Sequence, residues 1–167
     1  MAIMRLNHAV LYVREVERSV AFYGQLLGFS VVEAIPGRAA FLRADGSTND
    51  HDLGLFAIGD GAGASTAGRA TVGLYHLAWE VDTLAELDRL RGVLAEAGAL
   101  VGMSDHGTTK ALYAVDPDGL EFEVSWLVPA DRLTGDERMM TAPLDLAQEI
   151  AHYGHQTQGG IGISRSI

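Results

Sequence analysis

The chain has 167 residues, 48% hydrophobic and 20% charged, so it is long enough to bury a core and too apolar to be a disordered segment. Its 12 Lys and Arg against 22 Asp and Glu give a formal charge of −10, which argues against nucleic acid or an anionic membrane as partner, since both need a basic face. With no cysteine there is no disulfide framework, thiolate metal site or thiol nucleophile, and six His beside the carboxylates remain as metal ligands.

The opening MAIMRLNHAV lacks the basic stretch and long apolar core of a secretion signal, and no apolar run approaches the ~18 residues of a membrane span. A cytoplasmic protein is expected. LNHAVLYV, residues 6–13, is β-branched and apolar enough for a strand. The segment after it carries Val16, Val20, Phe22, Tyr23, Leu26 and Leu27 at roughly helical spacing, and Gly28 is a natural stop. Short strands are expected over 29–34, 39–44 and 52–58, with turns at Pro36-Gly37 and Asp45-Gly46.

The order then repeats. LYHLAWEV, residues 74–81, matches the first strand as L-x-H-x-x-x-x-V. A helix follows with Leu84, Leu87, Leu90, Val93, Leu94 and Ala97 on one side, Asp82 or Thr83 as N-cap, and Gly98 at its end. Strands are expected over 100–103, 111–115 and 120–127, the last two joined by the turn Asp116-Pro117-Asp118-Gly119. Each copy thus reads βαβββ, about 5–58 and 72–128, around a small-residue linker over 59–71. The fold class is α+β: a repeated unit that cannot cover its own sheet pairs with its copy, so two four-stranded sheets are expected to face each other across a cleft, in a domain over 1–128. Residues 129–167 form an extension, either a lid, an interface arm or a disordered tail, with one helix near 144–153 and an extended or loose GGIGIS.

His8 and His76 stand third in the opening strands of the two copies. Alternation puts Glu121 and Glu123 on one face of the last strand, with Phe122, Val124 and Trp126 on the apolar face against the helices. A lone strand histidine is more often a satisfied polar residue than a ligand. Two at equivalent places, with a carboxylate costly to bury alone, read as a two-His, one-carboxylate triad. His152 and His155 read as a solvated helix end, and Arg14, Glu17 and Arg18 as a solvated helix face. Trp79 and Trp126 read as core or cleft wall. No glycine-rich nucleotide loop is present in the sequence.

LNHAVLYVREVERSVAFYGQLLGF, YHLAWEVDTLAELDRLRGVLAEAGA and DHGTTKALYAVDPDGLEFEVSW together resemble the vicinal oxygen chelate superfamily of glyoxalase I, bleomycin- and fosfomycin-resistance proteins, methylmalonyl-CoA epimerase and type I extradiol dioxygenases. The resemblance implies that the two βαβββ modules form a cupped mixed β-sheet barrel with helices outside, around a metal site where His8, His76 and Glu123 bind a divalent metal. Within it, His51 in NDHDLGLF, His106 in DHG and Tyr113 in KALYAVDPDG resemble groups of the extradiol enzymes: His51 as acid or base beside O2, His106 and Tyr113 as partners of the catechol oxygens. Taken singly, His51 also fits an exposed turn, His106 an ordinary loop and Tyr113 strand filling. Aligning LGLF with FEVS puts Gly54 where glyoxalase-type relatives carry a fourth ligand, which disfavours that chemistry.

The implied function is an extradiol ring-cleaving dioxygenase. It would take Fe(II), or Mn(II), as cofactor and a small catechol and O2 as partners, and give a muconic semialdehyde-type product. A metal-dependent isomerase, lyase or transferase, and a ligand-sequestering protein, are the alternatives. The resemblance also implies a homodimer or higher homo-oligomer.

Overall fold

The computed structural model describes residues 2–3, 5–67, 70–135, 137, 140–160 and 163–164. The first copy gives β1 (Ala9–Val13), α1 (Val16–Leu27), β2 (Ser30–Ile35), β3 (Ala39–Arg43) and β4 (Leu53–Ala57). The second gives β5 (Leu77–Glu80), α2 (Leu84–Glu96), β6 (Leu100–Asp105), β7 (Thr109–Val115) and β8 (Glu121–Leu127). A 3-10 turn (Ala130–Arg132), β9 (Ala142–Pro143) and α3 (Leu146–Tyr153) follow. The strands form two mixed sheets, ordered β1-β4-β3-β2 and β5-β8-β7-β6-β9, and not a closed barrel.

The expected elements of the two copies and the helix of the extension appear in type and order, with ends that differ by a few residues, while the 3-10 turn and β9 of the extension were not expected. Both opening strands begin one residue after the histidine, because the parallel pairing of β1 with β4 starts at Ala9 against Leu53, and that of β5 with β8 at Leu77 against Phe122. His8 and His76 therefore sit at the strand mouths, where the backbone is not held on both sides. Of the linker over 59–71, residues 68 and 69 lie outside the described residues, as do 161 and 162 of GGIGIS.

Two compact units divide the chain. The first is Met1–Ser65 with Asp116–Gly119. Here α1 lays Val16 and Tyr23 over the sheet face that buries Leu42, Leu53 and Leu55, each such leucine contributing about 1.5–3 kcal/mol. Gly28 ends α1 in the left-handed conformation (φ 77°) that favours glycine. Of the expected solvated face, Glu17 and Arg18 are exposed and Arg14 is half-buried; the arginines also bind Asp118 of the DPDG turn at 2.8 and 2.7 Å, and Arg14 N–H adds a third bond to it at 3.0 Å. Glu17 accepts from Gly37 N–H at 2.7 Å. The neighbouring Asp116 accepts from the buried Tyr23 hydroxyl at 3.2 Å. Helical periodicity marks which residues face water but not which find a distant carboxylate.

The second unit is Thr66–Val115 with Leu120–Ile167. Thr83 caps α2 by accepting Glu86 N–H at 3.2 Å, and the helix presents Leu84, Leu87, Leu90 and Leu94 to the sheet. Phe122, Val124 and Trp126 of β8 are buried on that face, as alternation requires.

The described part of the extension is seated on this unit. β9 adds a fifth strand, pairing Ala142 with Asp105 and Pro143 with Ser104. The buried Lys110 ammonium bonds Asp105 at 2.6 Å and Glu149 of α3 at 3.0 Å. The Trp126 indole donates to the Thr157 carbonyl at 3.2 Å, and Gly159 N–H to the Asp82 carbonyl at 2.8 Å. His152 and His155 are exposed, and Trp79 is half-buried.

Candidate active site

Four of the six expected site residues meet in the second unit. Pairing of β5 with β8 sets Ala78 against Glu123, and pairing of β7 with β8 sets Tyr113 against Glu123. Two residues before Ala78, the His76 ring approaches the same carboxylate, with Nε2 3.3 Å from Oε2. Glu123 is 9% exposed, so its charge has little water to lean on. The His76 and Tyr113 ring centroids lie 5.7 Å apart. Tyr113 Oη is 2.8 Å from His106 Nε2, and His106 Nδ1 is 2.7 Å from the Met140 carbonyl. Burial first, then the charge of the neighbouring Glu123 carboxylate, push the Tyr113 hydroxyl up to about 12. A cavity of about 540 Å³ opens here, lined by His106, Thr108, Thr109, Glu123, Met140 and Thr141.

His8 and His51 meet in the first unit. Their ring centroids are 4.5 Å apart, and Phe41 stands edge-on to His51 at 5.2 Å. His8 Nδ1 donates to Asn7 Oδ1 at 2.7 Å, which fixes the ring proton on Nδ1 and leaves the Nε2 lone pair as the one able to take a metal. Asn49 steadies this mouth by donating to the Asn7 carbonyl at 2.8 Å. His51 Nδ1 is 3.3 Å from Asp50, whose carboxyl is held low by the His51 backbone N–H and, against a small opposing effect of burial, by the His51 ring. The register sets Gly54 against Val10, as it sets Glu123 against Ala78, so the first copy carries no carboxylate at the equivalent place.

A metal fits the donors of the second unit. Imidazole nitrogen and carboxylate oxygen together suit Fe(II) or Mn(II). Two adjacent ligands on one ion, each bonded at about 2.1 Å, stand roughly 3 Å apart. The 3.3 Å between His76 and Glu123 matches that, and is long for a charge-assisted hydrogen bond. His76 Nδ1 is buried with no hydrogen-bond partner among the described residues. Among the described residues, no three His, Asp or Glu side chains gather as a complete metal-holding group.

Four contributors carry no sequence signal of their own. The Met140 carbonyl is a backbone atom, Thr141 and Thr108 are common polar residues, and Asn7 acts only through its neighbour.

A family model described as the Glyoxalase/Bleomycin resistance protein/Dioxygenase superfamily matches residues 5–124. The chain belongs to this superfamily. The superfamily chain is 34% identical over 119 residues to a catechol-2,3-dioxygenase of Bacillus subtilis (strain 168), covering 71% of this chain and 40% of that protein. It is 34% identical over 116 residues to biphenyl-2,3-diol 1,2-dioxygenase 3 of Rhodococcus globerulus, covering 69% and 59%. The chain thus spans about half the length of these relatives. Among solved structures, a glyoxylase/bleomycin resistance protein/dioxygenase domain from Frankia sp. EAN1pec superposes with a TM-score of 0.64 at 24% identity, covering 77% of this chain and 96% of the other, which shows the fold. No helix among the described residues is long and apolar enough to cross a membrane.

Proposed function

We propose that this chain is an extradiol ring-cleaving dioxygenase acting on a small catechol, with Fe(II), or Mn(II), held by His8, His76 and Glu123. The observation that carries this reading is the coupling of a half-buried His76 and a buried Glu123 to a hydrogen-bonded phenol and imidazole, Tyr113 and His106, beside a cavity. The two relatives named as catechol and biphenyl-diol dioxygenases support it. His8 joins the set by its place in the repeat, directly before β1 as His76 is directly before β5. Gly54 in place of a fourth carboxylate favours a site with open positions over a glyoxalase-type one.

When bound, the ion supplies Lewis acidity toward the two catechol hydroxyls and a path for electrons to dioxygen. The protein supplies the proton handling. Tyr113 stays a phenol at neutral pH and offers its oxygen to a substrate hydroxyl, while His106 stands behind it as base. Thr108, Thr109 and Met140 wall the cavity on that side. His51, beside His8, is the acid that protonates oxygen during ring opening. A cytoplasmic homodimer or higher oligomer is part of the same proposal.

The test is oxygen uptake by protein loaded anaerobically with Fe(II), against a panel of catechols. Uptake with a yellow ring-fission chromophore, lost in Glu123→Ala, is expected. Bound metal with no uptake on any catechol overturns the reading.

A further inference from the structure

The extension after residue 128 contributes an atom to the candidate site, and that atom is a backbone carbonyl. His106 Nδ1 lies 2.7 Å from the Met140 oxygen. A carbonyl only accepts hydrogen bonds, so Nδ1 must carry the proton. Thr141 Oγ1, the other polar atom near Nδ1 among the described residues, is at 3.5 Å and too far to compete. With Nδ1 protonated, a neutral imidazole has its lone pair on Nε2, and Nε2 faces Tyr113 Oη at 2.8 Å. The Tyr113 hydroxyl therefore donates to His106.

We propose that the extension is a catalytic positioning element: the Met140 carbonyl fixes His106 as the Nδ1–H tautomer and so makes its Nε2 the acceptor for the Tyr113 proton. This role rests on the dioxygenase reading for its purpose, but the tautomer itself does not.

The carbonyl is held by structure on its C-terminal side. Two residues on, β9 pairs with β6, and beyond it α3 is tied down through Glu149 to the buried Lys110, which Asp105 of β6 also binds. The Asp105 carboxylate also accepts from Gly107 N–H at 2.8 Å, which shapes the loop that carries His106. One acidic residue thus joins the loop, the extension and the sheet.

The relay balances in protons. A substrate hydroxyl gives its proton to Tyr113 Oη as the phenol passes its own to His106 Nε2. Tyr113 remains neutral. His106 becomes an imidazolium whose Nδ1–H keeps its bond to Met140. The carbonyl dipole thus favours the protonated ring, as an orienting carboxylate does in other proton relays.

The test begins with long-range ¹H–¹⁵N correlation of the imidazoles in the full metal-free chain, His106 being the ring lost in His106→Gln. A neutral Nδ1–H ring is expected. Tyr113→Phe should leave that tautomer unchanged, because the carbonyl and not the phenol sets it. Inserting one glycine after Thr141 moves the Met140 carbonyl off its position and should give a mixture of tautomers. An Nε2–H ring in the wild-type chain, a flip in Tyr113→Phe, or a single Nδ1–H tautomer surviving the insertion overturns the proposal. On the Fe(II)-loaded enzyme the insertion should lower kcat by about 100-fold with little change in KM. If no catechol is turned over by the wild type, the dioxygenase reading fails while the tautomer result still stands or falls by itself.

Discussion

Glu123 and Gly54 occupy the same place in the two sheets, each on the last strand of its copy and each against the second residue after a histidine. A side chain at Gly54 would meet Val10 Cγ2 at 3.3 Å and the Phe41 ring at 3.7 Å. Val10 is half-exposed and able to yield, so Gly54→Ala should cost only about 1 kcal/mol in thermal or urea unfolding. Glu123→Ala should weaken Mn(II) binding by at least about 100-fold in calorimetric titration. Equal Mn(II) affinity in the two variants would remove Glu123 from the ligand set.

Tyr113 should stay a phenol well into alkali. Its hydroxyl is raised from 10.0 to about 12, so it favours folding fully below pH 10, and that contribution drains away as pH rises through the folded value. Difference absorbance against Tyr113→Phe reads the phenolate directly. Glu123→Gln removes the Glu123 charge and leaves burial with the smaller effects of Tyr75 and Glu121, so the titration should move down toward, but not reach, the ordinary value.

Asp118 should contribute to the acid limit of stability. Burial acts on it first and upward, but the Arg14 N–H, the Arg14 guanidinium and Arg18 outweigh that and hold it low. A carboxyl lowered on folding stabilises above its unfolded value of 3.8 and loses that contribution as pH falls through the folded one. Asp118→Asn should cost about 1–3 kcal/mol at neutral pH and flatten the loss of stability below pH 4. Unfolding by denaturant at pH 7 and pH 3 measures both.

Gly159 should tolerate no side chain. A Cβ there would collide with the Leu127 carbonyl and the Trp126 indole, against which the extension is seated. Gly159→Ala should cost about 1–3 kcal/mol and speed amide exchange in α3. Gly63→Ala, with open space around it, should stay within about 0.5 kcal/mol of the parent.

The repeat and its elements were legible because their causes are local. The L-x-H-x-x-x-x-V match, the helical spacing after it, Thr83 as cap, and Gly28 and Gly98 as stops each depend on residues a few positions apart. The seat of Glu123 between His76 and Tyr113 was within reach for the same reason, since alternation along β8 fixes its face. The helix over 144–153 was legible too, starting two residues late because Asp145 caps it.

What the sequence by itself determined was thus the order of elements, the equivalence of the two copies and the chemical types at the candidate site. What only the tertiary structure decided was which groups close on them. Arg14 and Arg18 read only as a solvated face, and it is folding that brings Asp118, some hundred residues away, to them. His106 had no assignable proton until the Met140 carbonyl met its Nδ1. The reason is physical: periodicity and turn chemistry are written in neighbouring side chains, whereas every residue carries the same backbone carbonyl, and only folding selects which one a histidine finds.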